Sequence, residues 1–104
     1  MYKLEFLPVA KKDFDKIIYY ISNNLKNKSA ARKLAKSFIK GANNILKFPY
    51  GISVYNQSRK LKNEYRCYKV NNFLMFYTIN EKEQIITIVR VLYSKMNISS
   101  ILEV

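Results

Sequence analysis

Residues 29–46 read "SAARKLAKSFIKGANNIL", and Ala31, Leu34, Ala35, Phe38, Ala42, Ile45 and Leu46 recur there at helical intervals. One side of a helix collects all of them, while Arg32, Lys33, Lys36 and Lys40 fall opposite. Ser29 suits the N-cap, since its hydroxyl can accept from an orphan N–H of the first turn. A helix with one apolar stripe has to bury it against something else, so the flanking segments decide the fold.

Upstream, Phe14, Ile17, Ile18, Ile21 and Leu25 keep the same spacing and predict a helix near 8–25, with Pro8 in its first turn. The break "NLKNKS" is short, which favours an antiparallel helix hairpin. Before it, Tyr2, Leu4 and Phe6 alternate with Lys3 and Glu5 as a short strand. After the second helix, Pro49 and Gly51 mark a turn. Three strand-like runs follow, at about 60–70, 73–79 ("FLMFYTI") and 84–93 ("QIITIVRVLY"), the last two joined by a turn at Asn80–Glu83. Those two are apolar on both faces, as central strands are. The order βααβββ predicts a single α+β domain over residues 1–104, with the helix hairpin on one face of a mostly antiparallel sheet. Residues 94–104 read either as a short helix or as a tail folded over the sheet.

In the run "KLKNEYRCYKV", Lys60, Lys62, Arg66 and Tyr68 alternate with Leu61, Tyr65 and Cys67. This places a cationic edge on the sheet face that the helices leave open. The whole chain has a net charge of +12, and no acidic residue stands between Asp15 and Glu64, a span holding eleven Lys or Arg. Such a field attracts polyanions. One cysteine, Cys67, excludes an intrachain disulfide and reads as a small buried apolar residue in a reducing, intracellular setting. The N-terminal stretch has no long apolar region of a signal peptide, and no run reaches the length of a membrane span.

With no histidine and two glycines, the chain has no Ser-His-Asp set and no phosphate-cradling Gly-rich loop. No metal site and no cofactor are expected. The remaining candidates for chemistry are Arg66, Arg90, Tyr93 and Lys95, with Lys60, Lys62, Tyr68 and Lys69 as substrate-binding groups. Arginine and lysine hold phosphates by charge-assisted hydrogen bonds and can stabilise a pentavalent phosphorane. Exposed tyrosines can stack on bases. Structural readings compete: Arg66 paired with Glu64 or Glu5, and Arg90, in an apolar row with Ile86, Ile88 and Leu92, tied to a carboxylate or the C-terminal tail.

The segments "FLPVAKKDFDKIIYYISNNL", "SAARKLAKSFIKGANNILKFPYG", "EYRCYKVNNFLMFYTI" and "IITIVRVLYSKMNISSIL" together resemble the RelE/ParE superfamily of type II toxin–antitoxin toxins. The resemblance implies the βααβββ fold, a cytoplasmic growth-inhibiting toxin, and a cognate antitoxin with an acidic, extended segment. It offers two mechanisms, ribosome-dependent mRNA cleavage and poisoning of DNA gyrase, and a decayed toxin that only binds its antitoxin is a third possibility. In the nuclease reading Arg66 and Lys62 bind the scissile phosphate, Lys95 or Arg90 stabilises the transition state, and Tyr68 or Tyr93 stacks or relays a proton. Leu74 and the pair Met96–Asn97 depart from residues that the nucleases often carry. The charge of the chain favours the nuclease.

Overall fold

The computed structural model describes residues 1–52, 54 and 64–102. Strand β1 (Lys3–Phe6) leads into helix α1 (Pro8–Tyr19), a π-helical turn over Tyr20–Asn24 and helix α2 (Lys28–Lys47). A 3₁₀ turn at Pro49–Gly51 follows, then β2 (Arg66–Val70), β3 (Phe73–Asn80), β4 (Ile85–Tyr93) and a short α3 (Ile98–Leu102). The sheet order is β1-β4-β3-β2, with β1 parallel to β4 and the other neighbours antiparallel.

The helix hairpin forms as its periodicity predicts, with two local differences. The N-cap of α2 is Asn27, whose Oδ1 accepts from the Ala30 N–H at 3.0 Å, two residues before the expected Ser29. Asn27 wins the position because the backbone turns at Lys26, which takes a left-handed φ of 51°. The first helix ends in a π-turn, where the Leu25 N–H reaches the Tyr20 carbonyl at 3.0 Å. Bonding to the fifth residue back delays each side chain by part of a turn. Ile17, Ile18 and Ile21 therefore still pack on the core, while Leu25 is swung out and exposed.

Under the helices the core consists of Ala10, Leu34, Phe38, Ile45, Val70, Met75, Tyr77, Ile86, Ile88 and Val91. Fully burying a side chain of Phe or Ile size contributes about 2–3 kcal/mol. A second cluster of Tyr65, Phe76, Leu92, Ile98 and Leu102 lies on the opposite sheet face. Helix α3 thus covers part of the face that sequence reasoning leaves open, settling residues 98–102 as a helix on the sheet.

Strand β2 begins at Arg66, and Lys60 and Lys62 lie outside the described residues. Arg66 and Tyr68 do share a face, but it is the helix face. Tyr65 and Cys67 point into the second cluster, whereas Tyr68 and Val70 belong to the first. Alternation says which residues travel together; it does not say which side they take. The side is set by packing: the Tyr68 ring lies over Gly41 of α2, and the Asn44 amide donates to its hydroxyl at 2.9 Å.

A β-carbon added at Gly41 would sit 2.9 Å from the Tyr68 ring and 3.1 Å from the Met75 methyl. The tethered ring has little room to yield. Gly41→Val is expected to destabilise the protein by about 2 kcal/mol through overpacking, read as a fall in Tm. A variant as stable as the parent would contradict the close approach.

Candidate functional site

Strand β4 carries a bulge between its two halves. Phe76 of β3 opposes Arg90 and Tyr77 opposes Ile88, so Val89 is the extra residue. The bulge breaks the expected row: Arg90 does not share a face with Ile86 and Ile88, because the alternation resets at Val89. At the same point β1 has ended, its last pair being Phe6 with Ile88. Asp13 of α1 fills the vacated edge. Its Oδ2 accepts from the Val91 N–H at 3.0 Å and from Arg90 Nε at 2.8 Å, and its Oδ1 accepts from the Arg90 Nη2 at 2.9 Å. The Asp13 and Arg90 side chains are 13% and 25% exposed, so the pair is largely removed from water. Asp13 holds the Arg90 guanidinium above its ordinary value, firmly protonated.

Arg66 is also committed. It donates to the Ile52 carbonyl, lies 5.1 Å over the Tyr50 ring, and approaches Glu64 at 3.7 Å. Its side chain is only 15% exposed. The Tyr77 hydroxyl donates to the Pro49 carbonyl at 2.7 Å, so Arg66 and Tyr77 together pin the turn after α2. Burial pushes the Tyr77 phenol up to about 12. Beside this turn, Glu81 accepts from Tyr2 at 2.5 Å and Tyr50 at 2.8 Å, and from the Gln84 amide at 2.9 Å. The two tyrosine hydrogen bonds hold the Glu81 carboxyl below the usual carboxylate range.

The other candidates stand apart. Tyr68 is held between α2 and the sheet; Lys69 is exposed, one position along β2 and on the opposite face. Tyr93, 39% exposed, packs its ring on Phe73 at 5.9 Å between centroids. Lys95 follows in an exposed turn anchored by the Ser94 N–H on the Asn72 carbonyl. The set does not converge on a single point: β3 separates Arg66 from Arg90, putting their backbones about 10 Å apart across the sheet. Cys67 packs beside the second cluster, and burial pushes its thiol up to about 11, far from a thiolate nucleophile. Among the described residues no group of three or more Cys, Asp or Glu could hold a metal ion. No helix among them is long and apolar enough to cross a membrane. Among the described residues, the candidates form separate cationic and aromatic surfaces.

Sequence reasoning missed Asp13, Tyr2, Tyr50 and Glu81. For Asp13 a signal exists: with Ala10, Phe14, Ile17 and Ile18 it falls on the apolar stripe of α1. A carboxylate in that position needs a buried cation to offset its desolvation. The Glu81 cluster has no such signature, since its members meet only after the sheet is assembled.

Two predictions follow from these contacts. Asp13→Ala leaves the Arg90 guanidinium and the Val91 N–H without their partner and is expected to cost about 3 kcal/mol in denaturant unfolding. Asp13→Asn, which keeps an acceptor for Val91, should lose less. For Glu81 the folded value lies below the unfolded one, so its contribution is present above the ordinary carboxylate range and vanishes as pH falls through the folded value. Glu81→Gln should flatten the loss of Tm on acidification below the ordinary carboxylate range; an acid limb identical to that of the parent would show that the cluster is not energetically linked.

A family model described as the ParE toxin of the type II toxin–antitoxin system parDE matches residues 4–98. A solved structure described as the chromosomal ParDE TA system from P. aeruginosa contains a chain with 14% identity to this one. The match covers 91% of this chain and 98% of that one at a TM-score of 0.72, a likeness of fold. No curated protein matches the sequence. The family match spans β1 through the start of α3, and the chain belongs to the ParE toxin family of type II toxin–antitoxin systems.

Proposed function

We propose that this toxin arrests growth by binding DNA gyrase and does not itself cut RNA. The observation that carries this reading is the double engagement of Arg90 by Asp13. An arginine that stabilises a transition state has to be free to meet the developing charge, and a bidentate carboxylate already occupies this one. Arg66, pinned to the turn after α2, is similarly occupied. Leu74, on β3, adds no cation to replace them. A binding toxin needs no such group.

The cognate antitoxin that a ParDE system implies is, on this reading, a chain whose acidic, extended segment lies against the cationic surface of the toxin. A net charge of +12 makes that association fast and sensitive to salt. The nuclease alternative retains one favourable observation. Tyr93 and Lys95 are exposed at the same end of the sheet as Lys69, where a stacked base and a phosphate could be held.

Purified toxin added to gyrase should abolish supercoiling or trap a cleavage complex, while message on translating ribosomes stays intact. The double variant Tyr93→Ala with Lys95→Ala should then leave message integrity unchanged. Cleaved mRNA that this variant fails to produce, with supercoiling untouched, would replace the gyrase reading with the nuclease.

A further inference from the structure

The outward face of α2 has no role in the contacts described above. Arg32, Lys33, Lys36, Lys40 and Lys47 are all exposed there, opposite the buried Ala31, Leu34, Phe38, Gly41, Ala42 and Ile45. At 3.6 residues per turn these five cations fall within an arc of roughly 100° and extend about 22 Å along the helix. Among the described residues, no carboxylate pairs with any of them.

This pattern works against the helix that carries it. Arg32 with Lys36, and Lys36 with Lys40, are like charges one turn apart, and each such pair weakens a helix. Lys28 occupies the first turn, where the helix dipole disfavours a cation. A face selected only to stay solvated would intersperse glutamate, yet residues 28–47 contain no acid. The charge therefore serves something outside the chain.

We infer that this face is a track for the phosphodiester backbone of duplex nucleic acid. A strand of a duplex presents one charge per ~3.4 Å of axis, so a 22 Å line of cations lies beside about six phosphates. The line is stiff and of one sign. Within α2 (Lys28–Lys47) Ile39 is the large apolar side chain exposed on its flank, with Phe48 exposed just past its end, which suits electrostatic backbone contact better than a protein interface built on buried anchors. The inference does not depend on gyrase being the target. It assigns the toxin a sequence-independent affinity that would hold it near DNA or structured RNA.

The test is fluorescence anisotropy of the full-length toxin with a labelled random duplex of about 20 base pairs, between ~50 and ~200 mM salt. The triple variant Lys33→Gln, Lys36→Gln, Lys40→Gln is compared with a charge-matched control, Lys3→Gln, Lys12→Gln, Lys82→Gln, which removes exposed lysines elsewhere. Each lost phosphate contact lowers the slope of log affinity against log salt by about 0.9, so the triple variant should lose roughly 2.7 and bind at least tenfold more weakly. The control should change affinity less than about threefold, since its charges lie beyond direct contact. The single variant Lys36→Gln, expected to lose about 0.9 of slope, serves should the triple variant misfold. A duplex RNA of equal length tells which nucleic acid is preferred, either result supporting the track provided the stripe governs it. Equal losses in stripe variant and control would reduce the effect to net charge and overturn the inference. So would tighter, stripe-dependent binding of a polyglutamate peptide than of either duplex, which would assign the face to an acidic protein.

Discussion

The carboxylate of Asp13 makes up for a mismatch of strand lengths. Strand β1 has four residues and β4 has nine, so β1 can pair only the first half of its neighbour. Beyond Ile88 the outer edge of β4 would offer unpaired groups, and the bulge at Val89 changes the face that Arg90 takes at that place. Asp13 meets both needs, accepting from the Val91 N–H and from two nitrogens of Arg90. Because the pair is mostly dehydrated, its net contribution is modest, but removing either partner strands a charge in a poor solvent. The contact fixes how far along β4 the first helix sits. The placement of α2 follows, since it is joined to α1 by a short turn and laid on the same sheet face.

Much of this architecture is legible in the sequence because two periods alternate along it. The stripe Ala31, Leu34, Phe38, Ala42, Ile45 has the period of a helix facing a core, and "FLMFYTI" with "QIITIVRVLY" are β-branched and aromatic runs of strand length. What periodicity does not hold is the phase between elements. The alternation of Arg66 and Tyr68 with Tyr65 and Cys67 is visible, but the choice of face depends on Tyr68 fitting over a glycine 27 positions earlier. The bulge at Val89 is invisible for a related reason. Its residues are ordinary strand formers, and only the pairing with β3 reveals that one of them is extra. The candidate site suffers most, because Arg66 and Arg90 belong to rows whose orientation those two features decide.

The acids explain the rest of the electrostatics. Asp13 is spent on Arg90, Glu64 lies beside Arg66, and Glu81 accepts from two tyrosines and a glutamine. Three of seven carboxylates are thus engaged in bracing strands and turns, leaving few to moderate nineteen Lys and Arg. The excess positive charge is consequently spatial as well as arithmetic. Arg66 and Arg90 of the sheet are tied into the fold, and the cations on α2 face solvent without carboxylate partners among the described residues.

That division bears on how a toxin of this family can act. Groups that are internally paired cannot answer to charge developing on a substrate without first breaking contacts that support β4 and the turn after α2. Catalysis by Arg90 would therefore compete directly with the stability of the fold. Binding through exposed lysines carries no such conflict: their charge is already available, and a polyanionic partner relieves the mutual repulsion they impose on α2. A partner that covers the face stabilises the toxin as it binds, by an amount set by its concentration relative to its dissociation constant. The exposed cations of α2 are thus available for association without any cost to the contacts that hold β4 and the turn after α2.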